Sequence, residues 1–129
     1  MPILRRCLIV DDNVDFREEA RGLLEEQGLV VVATAGSTAE ALQCAAGSSL
    51  DVALVDIDLG GESGLDLARH LHERLESPPA IILISTHDET EYADLIVACP
   101  AVGFLAKTAL SVDAIDELLA SGAGEKVSG

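Results

Sequence analysis

Two stretches, Val52-Ala53-Leu54-Val55 and Ala80-Ile81-Ile82-Leu83-Ile84, run without a polar residue. Each is short for a helix, and neither alternates as a strand with one wet face would. Unbroken β-branched runs of this length suit strands covered by helices on both faces, at the centre of a parallel sheet. Shorter runs of the same kind lie on either side: Arg6 to Val10, Val30 to Ala33 and Gly103 to Leu105.

Helical patterns fill the gaps. Phe16, Ala20, Leu23 and Leu24 recur at helical spacing, and Gly28 supplies a stop. Ser37-Thr38-Ala39-Glu40 has the form of a capping box and opens a second helix through about Ala46. A third runs from near Gly64 to Leu75, ahead of Pro78-Pro79. Tyr92, Leu95, Ile96 and Cys99 mark a fourth, closed by Pro100; a fifth, with Ser111 as N-cap, turns Ile115, Leu118 and Leu119 inward. Strand and helix alternate five times, which predicts an α/β fold: a doubly wound, five-stranded parallel sheet of order 2-1-3-4-5, flavodoxin-like, with five helices. The predicted domain spans residues 1–120, and the small-residue stretch 121–129 reads as a flexible tail or linker stub. Ligands of such a sheet bind where the first and third strands end.

Composition narrows the function. The chain has 129 residues, with 8 basic against 23 acidic and a formal net charge of −15. That field repels phosphate backbones and anionic lipid heads, so direct nucleic-acid contact is not expected. Two Phe and one Tyr make no base-stacking platform. Acidity favours hard cations instead. Cys7, Cys44 and Cys99 are an odd number and far apart, so they read as small core residues in a reducing compartment rather than as a disulfide or metal pair. No apolar run approaches the roughly 18 residues of a membrane span, and the N-terminus lacks a signal-peptide pattern, so the expectation is a cytoplasmic protein with no membrane contact.

The chemistry sits at the strand ends. The first predicted strand closes in Asp11-Asp12, the third in Asp56, the fourth in Ser85-Thr86, and Lys107 follows the fifth. Alone, each has a plain reading: a solvated turn, a helix cap, a local turn, an exposed lysine. Together they place carboxylates, a hydroxyl and an amine on one edge. The strings Leu8-Ile9-Val10-Asp11-Asp12-Asn13, Asp51-Val52-Ala53-Leu54-Val55-Asp56-Ile57-Asp58-Leu59 with Gly64, Ile84-Ser85 and Gly103-Phe104-Leu105-Ala106-Lys107 resemble, in order and spacing, the receiver domain of two-component response regulators. The Phe-Arg-Glu opening of the first helix and the Gly-Phe-Leu-x-Lys-Thr string look like the branch often fused to a C-terminal helix-turn-helix DNA-binding domain, which is expected outside this chain.

The resemblance implies specific roles. Asp56 is the phosphoacceptor, supplied by a sensor histidine kinase. Asp11 and Asp12 help hold Mg²⁺, joined by Asp56 and the backbone carbonyl of Asp58, with Asp11 acting through water. Ser85 is the switch hydroxyl, Phe104 the switch aromatic, and Lys107 the lysine that neutralises the phosphoryl group. The readout is the face of the fourth helix, fifth strand and fifth helix, with pairing of two copies on phosphorylation. Mg²⁺ with its preference for carboxylate, phosphate and water oxygens suits such a set. The chain also departs from the pattern. Many receivers carry a cis proline after the lysine, whereas Thr108 stands here; either the loop forces a costly cis bond or the lysine is aimed otherwise. Leu59-Gly60-Gly61 replaces a common Met-Pro and loosens that loop. His87 reads as a loop residue, or one that tunes phosphate lifetime at the site mouth. His70 and His72 are two apart on a helix and face different ways, which argues against a metal pair. Two rival classes stay open: a degenerate receiver that only binds protein, and a haloacid-dehalogenase-like phosphatase, suggested by the acid-x-acid pair Asp56-Ile57-Asp58.

Overall fold

The computed structural model describes residues 5–47, 49–75, 78–85 and 101–128, with residues 121–128 as backbone only. Five strands, β1 (Arg6–Val10), β2 (Val30–Ala35), β3 (Val52–Asp56), β4 (Ala80–Ser85) and β5 (Gly103–Ala106), form one parallel sheet in the order β2-β1-β3-β4-β5. Four helices are described: α1 (Val14–Glu26), α2 (Thr38–Ala46), α3 (Gly64–Arg74) and α4 (Val112–Ser128). The expected helix through Tyr92 and Cys99 lies outside the described residues, as do Thr86 and His87.

Alternation along each central strand divides the core. Leu8, Val10, Ala53, Val55, Ile81 and Leu83 face α2 and α3, packing on Ala41, Leu67 and Leu71. Cys7, Ile9, Val52, Leu54, Ile82 and Ile84 face the other way, against Ala20 and Leu24 of α1 and Ile115 of α4. Every residue of β3 is buried, as its unbroken apolar run requires. Burial pushes the Cys7 thiol up to about 12, so it sits in the core as an inert apolar group.

The helix starts are set by side chains. Asn13 caps α1 by accepting from the backbone N–H of Asp15 and Phe16. Ser37 accepts from Glu40 N at 3.2 Å, while the Glu40 carboxylate reaches back to Gly36 N rather than to the cap itself. Ser63 caps α3 and Ser111 caps α4. Gln27 joins the two helices of one layer by accepting from Val112 N at 2.8 Å.

Element ends differ from the sequence reading in two ways. β2, β3, β4 and β5 each run one or two residues further, because the ladder continues past the apolar run: Asp56 pairs with Ile84, and Ser85 with Ala106. The stretch after Ala120, read as a flexible tail, continues α4 to Ser128. Gly122 and Gly124 weaken a helix by about 1 kcal/mol each relative to Ala, but Ala, Glu and Lys favour it and no proline interrupts.

Candidate functional site

Parallel strands all end at the same edge, so the residues closing β1, β3 and β4 and following β5 are forced together. Asp11, Asp12, Asn13, Asp56, Asp58, Gly60, Ser85 and Lys107 line one cavity of about 230 Å³ at that edge. Asp11, Asp56 and Ser85 are the buried polar residues among those described, in a core otherwise apolar. Phe104, the expected switch aromatic, does not line the cavity: it is half-buried and packs on the α2/α3 side of the sheet.

The cavity is built around an ion-paired centre. Lys107 Nζ donates to Asp56 Oδ2 at 3.1 Å and contacts Asp11 Oδ2. Asp11 is held by three backbone links: Asp11 N to the Ala35 carbonyl at 3.0 Å, Asn13 N to Asp11 Oδ1 at 2.8 Å, and Arg17 Nη1 to the Asp11 carbonyl at 3.0 Å. Among the described residues Asp11 Oδ2 has no further donor, and it is shut off from solvent, so the ammonium is the charge that compensates it there. The other oxygen of Asp56, Oδ1, accepts from Asp58 N at 3.2 Å, and the Asp58 carboxylate folds back onto Gly60 N. Gly60 has φ +60, and a Cβ there would stand 2.6 Å from Asp12 Oδ2. A glycine is therefore what lets the loop pass over that carboxylate.

Lys107 is aimed without a cis peptide. The Lys107–Thr108 bond is trans, and the chain leaves β5 through a 3-10 turn at Lys107–Ala109. The ammonium lies 4.4 Å from the centre of the Phe16 ring. The sequence puts Phe16 in the apolar stripe of α1 and, with Arg17, in the Phe-Arg-Glu string of the family resemblance, but assigns neither a role at the cavity. The signal was there, since the first turn of a helix that starts beside Asp12 must pass the cavity.

Burial raises the Asp56 pKa to about 6: the Asp11 charge adds to it, and the Lys107 ammonium and Asp58 N–H only partly offset it. Burial also acts against the Lys107 ammonium, but bonds and charges from Asp11 and Asp56 win, and its pKa lies above the ordinary lysine value. A carboxyl whose folded pKa of about 6 exceeds its ordinary 3.8 holds its proton more tightly in the fold, so its contribution to stability is full below 3.8 and is lost as pH rises through 6. In metal-free protein, Asp56→Asn is expected to match wild type near pH 4 and exceed it near pH 7, by on the order of 2 kcal/mol at most. Urea unfolding at the two pH values measures this; an equal difference at both would show that the carboxyl titrates normally.

Oxygen atoms of Asp11, Asp12 and Asp56 all lie within 4.8 Å of one another. Three hard donors at that spacing, one exposed and two buried, fit a divalent cation that prefers oxygen and retains water.

A parallel 2-1-3-4-5 sheet with an acidic triad and a lysine at its carboxyl edge defines a receiver-type α/β domain. Residues 7–120 match the response regulator receiver domain family, and the chain belongs to that family. It is 33% identical over 123 residues to the nitrate/nitrite response regulator protein NarP of Escherichia coli (strain K12), covering 95% of this chain and 57% of NarP. It is 29% identical over 121 residues to the transcriptional regulatory protein LiaR of Bacillus subtilis (strain 168), covering 93% and 57%. Among solved structures, the signal receiver domain of the response regulator NarL from Mycobacterium tuberculosis superposes with a TM-score of 0.80 at 30% identity, covering 95% of this chain and 99% of that one. The chain thus spans little more than half the length of these two full-length relatives. Among the described residues, no helix is long and apolar enough to cross a membrane.

Proposed function

We propose that this domain is a cytoplasmic, phosphorylatable switch that accepts a phosphoryl group on Asp56 from a phosphohistidine of a sensor histidine kinase. The observation that carries this reading is a buried carboxylate at a strand end, 3.1 Å from a lysine amine, with two further carboxylates beside it. An oxygen of Asp56 bonds to phosphorus as the N–P bond of the donor breaks, and the electron pair returns to the imidazole, which takes up a proton. Lys107 faces the oxygens of the incoming group and neutralises their charge. Asp12, Asp56 and the Asp58 carbonyl would hold Mg²⁺, with Asp11 acting through a water, and the ion would supply the remaining neutralisation. Pairing of Asp11 with Lys107 supports that indirect role, since one of its oxygens is already committed.

The phosphoryl group offers new acceptor oxygens at the buried rim where Ser85 sits. Ser85 turns toward them, and Phe104, two residues before the Ala106 that pairs with Ser85, moves into the space released. The readout face is the helix expected from the sequence before Pro100 together with β5 and α4, acting on a C-terminal DNA-binding domain of the kind the relatives' regulatory names suggest. Direct DNA contact by this acidic domain is not part of the reading, nor is turnover of free metabolites. Phosphorylation is expected to pair two copies, which sizing with and without beryllofluoride would show as a doubled mass.

Incubation with Mg²⁺ and phosphoramidate followed by intact mass tests the proposal. Wild type gains one acid-stable, base-labile phosphate and Asp56→Asn gains none. No gain in wild type would indicate a receiver used only for binding; continuous release of phosphate would indicate a phosphatase.

A further inference from the structure

We infer that Phe16 is a positioning residue for Lys107, holding its ammonium at the phosphoacceptor with the face of its ring. The inference rests on the phosphoacceptor reading of the same site. Three observations carry it. Nζ lies 4.4 Å from the ring centre, within the range at which a cation is attracted to an aromatic face. The lysine side chain is only 13% exposed, so the attraction is little weakened by water. Its anchor is a 3-10 turn with a trans peptide before Thr108, which fixes the backbone but leaves four methylenes to place the amine.

Asp11 and Asp56 bind the ammonium in the resting site. When an Asp56 oxygen becomes bonded to phosphorus, that carboxylate no longer carries its full charge, and the amine must stay within reach of the new oxygens. Phe16 is unaffected by that change. It lies in the first turn of α1, is half-buried, and packs on the α1/α4 side of the core, so its ring position is set by the fold rather than by the reacting group. An aliphatic side chain there would keep water out equally well but would exert no pull on the charge.

Two measurements separate holding from filling. Lys107 and Lys126 are the lysines of the chain, so lysine-labelled protein gives an uncrowded NMR spectrum. The Lys107 side-chain signals are expected to be shifted upfield by the ring, to lose that shift in Phe16→Leu and to keep it in Phe16→Tyr. In parallel, mono-, di- and trifluorophenylalanine placed at position 16 weaken the ring's negative face with little change of shape. The rate of phosphoryl uptake from phosphoramidate is expected to fall stepwise along that series, by about fivefold in total, and to recover in Phe16→Tyr. An unshifted Lys107 overturns the contact. A flat fluorination series with the shift present overturns the positioning role and leaves a spacer. A wild-type chain that takes up no phosphate overturns the phosphoacceptor reading and the kinetic half with it, whereas the NMR arm still decides whether the ring holds the amine.

Discussion

Lys107→Met is expected to lower the stability of the metal-free protein by about 3 kcal/mol and to slow phosphoryl uptake by Asp56 about a hundredfold or more. Methionine keeps most of the apolar stem and removes the charge. The lysine is the cation for two carboxylates at once, Asp11 fully buried and Asp56 nearly so. Without it, one must take up a proton or both must be hydrated in a site closed by β1, β3 and β4. Removing one member of a buried pair costs far more than the pair contributes, because the survivor keeps its desolvation penalty. Mg²⁺ is therefore expected to restore more stability to the variant than it adds to wild type, since it neutralises the carboxylates that lost their partner. Urea unfolding with and without Mg²⁺ gives the first effect, and mass-resolved phosphorylation the second. An unchanged midpoint in metal-free buffer would mean that the ammonium does not neutralise the pair.

The polarity of a parallel sheet explains how much of this site could be read from the chain. Val52 to Val55 and Ala80 to Ile84 could hardly be anything but central strands, and once they are parallel, Asp11, Asp56, Ser85 and Lys107 share an edge by topology. What sequence could not show is contact across elements. Phe16 looked like any other member of an apolar stripe, because helical spacing says which face is buried and not which atom it meets. Thr108 raises the question of how the lysine is aimed; it sits in a trans-linked 3-10 turn with Lys107, and the ring beside the amine belongs to α1, far away in the chain. The length of α4 was not legible for a different reason: Ser121 to Ser128 has nothing large to bury and so carries no apolar periodicity, whereas backbone hydrogen bonding continues wherever no residue forbids it.

Gly64→Ala is expected to cost about 3 kcal/mol or more, although alanine is the better helix former. Gly64 is the first residue of α3, and its N–H donates to the Ile57 carbonyl at 2.8 Å, drawing the helix onto the loop that follows Asp56. A Cβ at this position would fall inside the radius of the Asp56 carbonyl oxygen, 2.7 Å from its carbonyl carbon and 3.0 Å from Ile57 Cα. These are backbone atoms and cannot swing aside as a side-chain tip would. Relief requires α3 to move away or the loop to move toward Asp12, and either displaces the Asp58 amide from Asp56 Oδ1. The variant should therefore lose phosphoryl uptake along with stability. Gly22 supplies the contrast: it lies within α1, and a methyl group added there would meet nothing within 4 Å, so Gly22→Ala is expected to stabilise by about 0.5–1 kcal/mol. For a domain of this size, thermal unfolding should separate the two variants by more than about 10 °C. Equal midpoints would mean that α3 does not close onto the Asp56 carbonyl, and would remove the steric account of why glycine stands there.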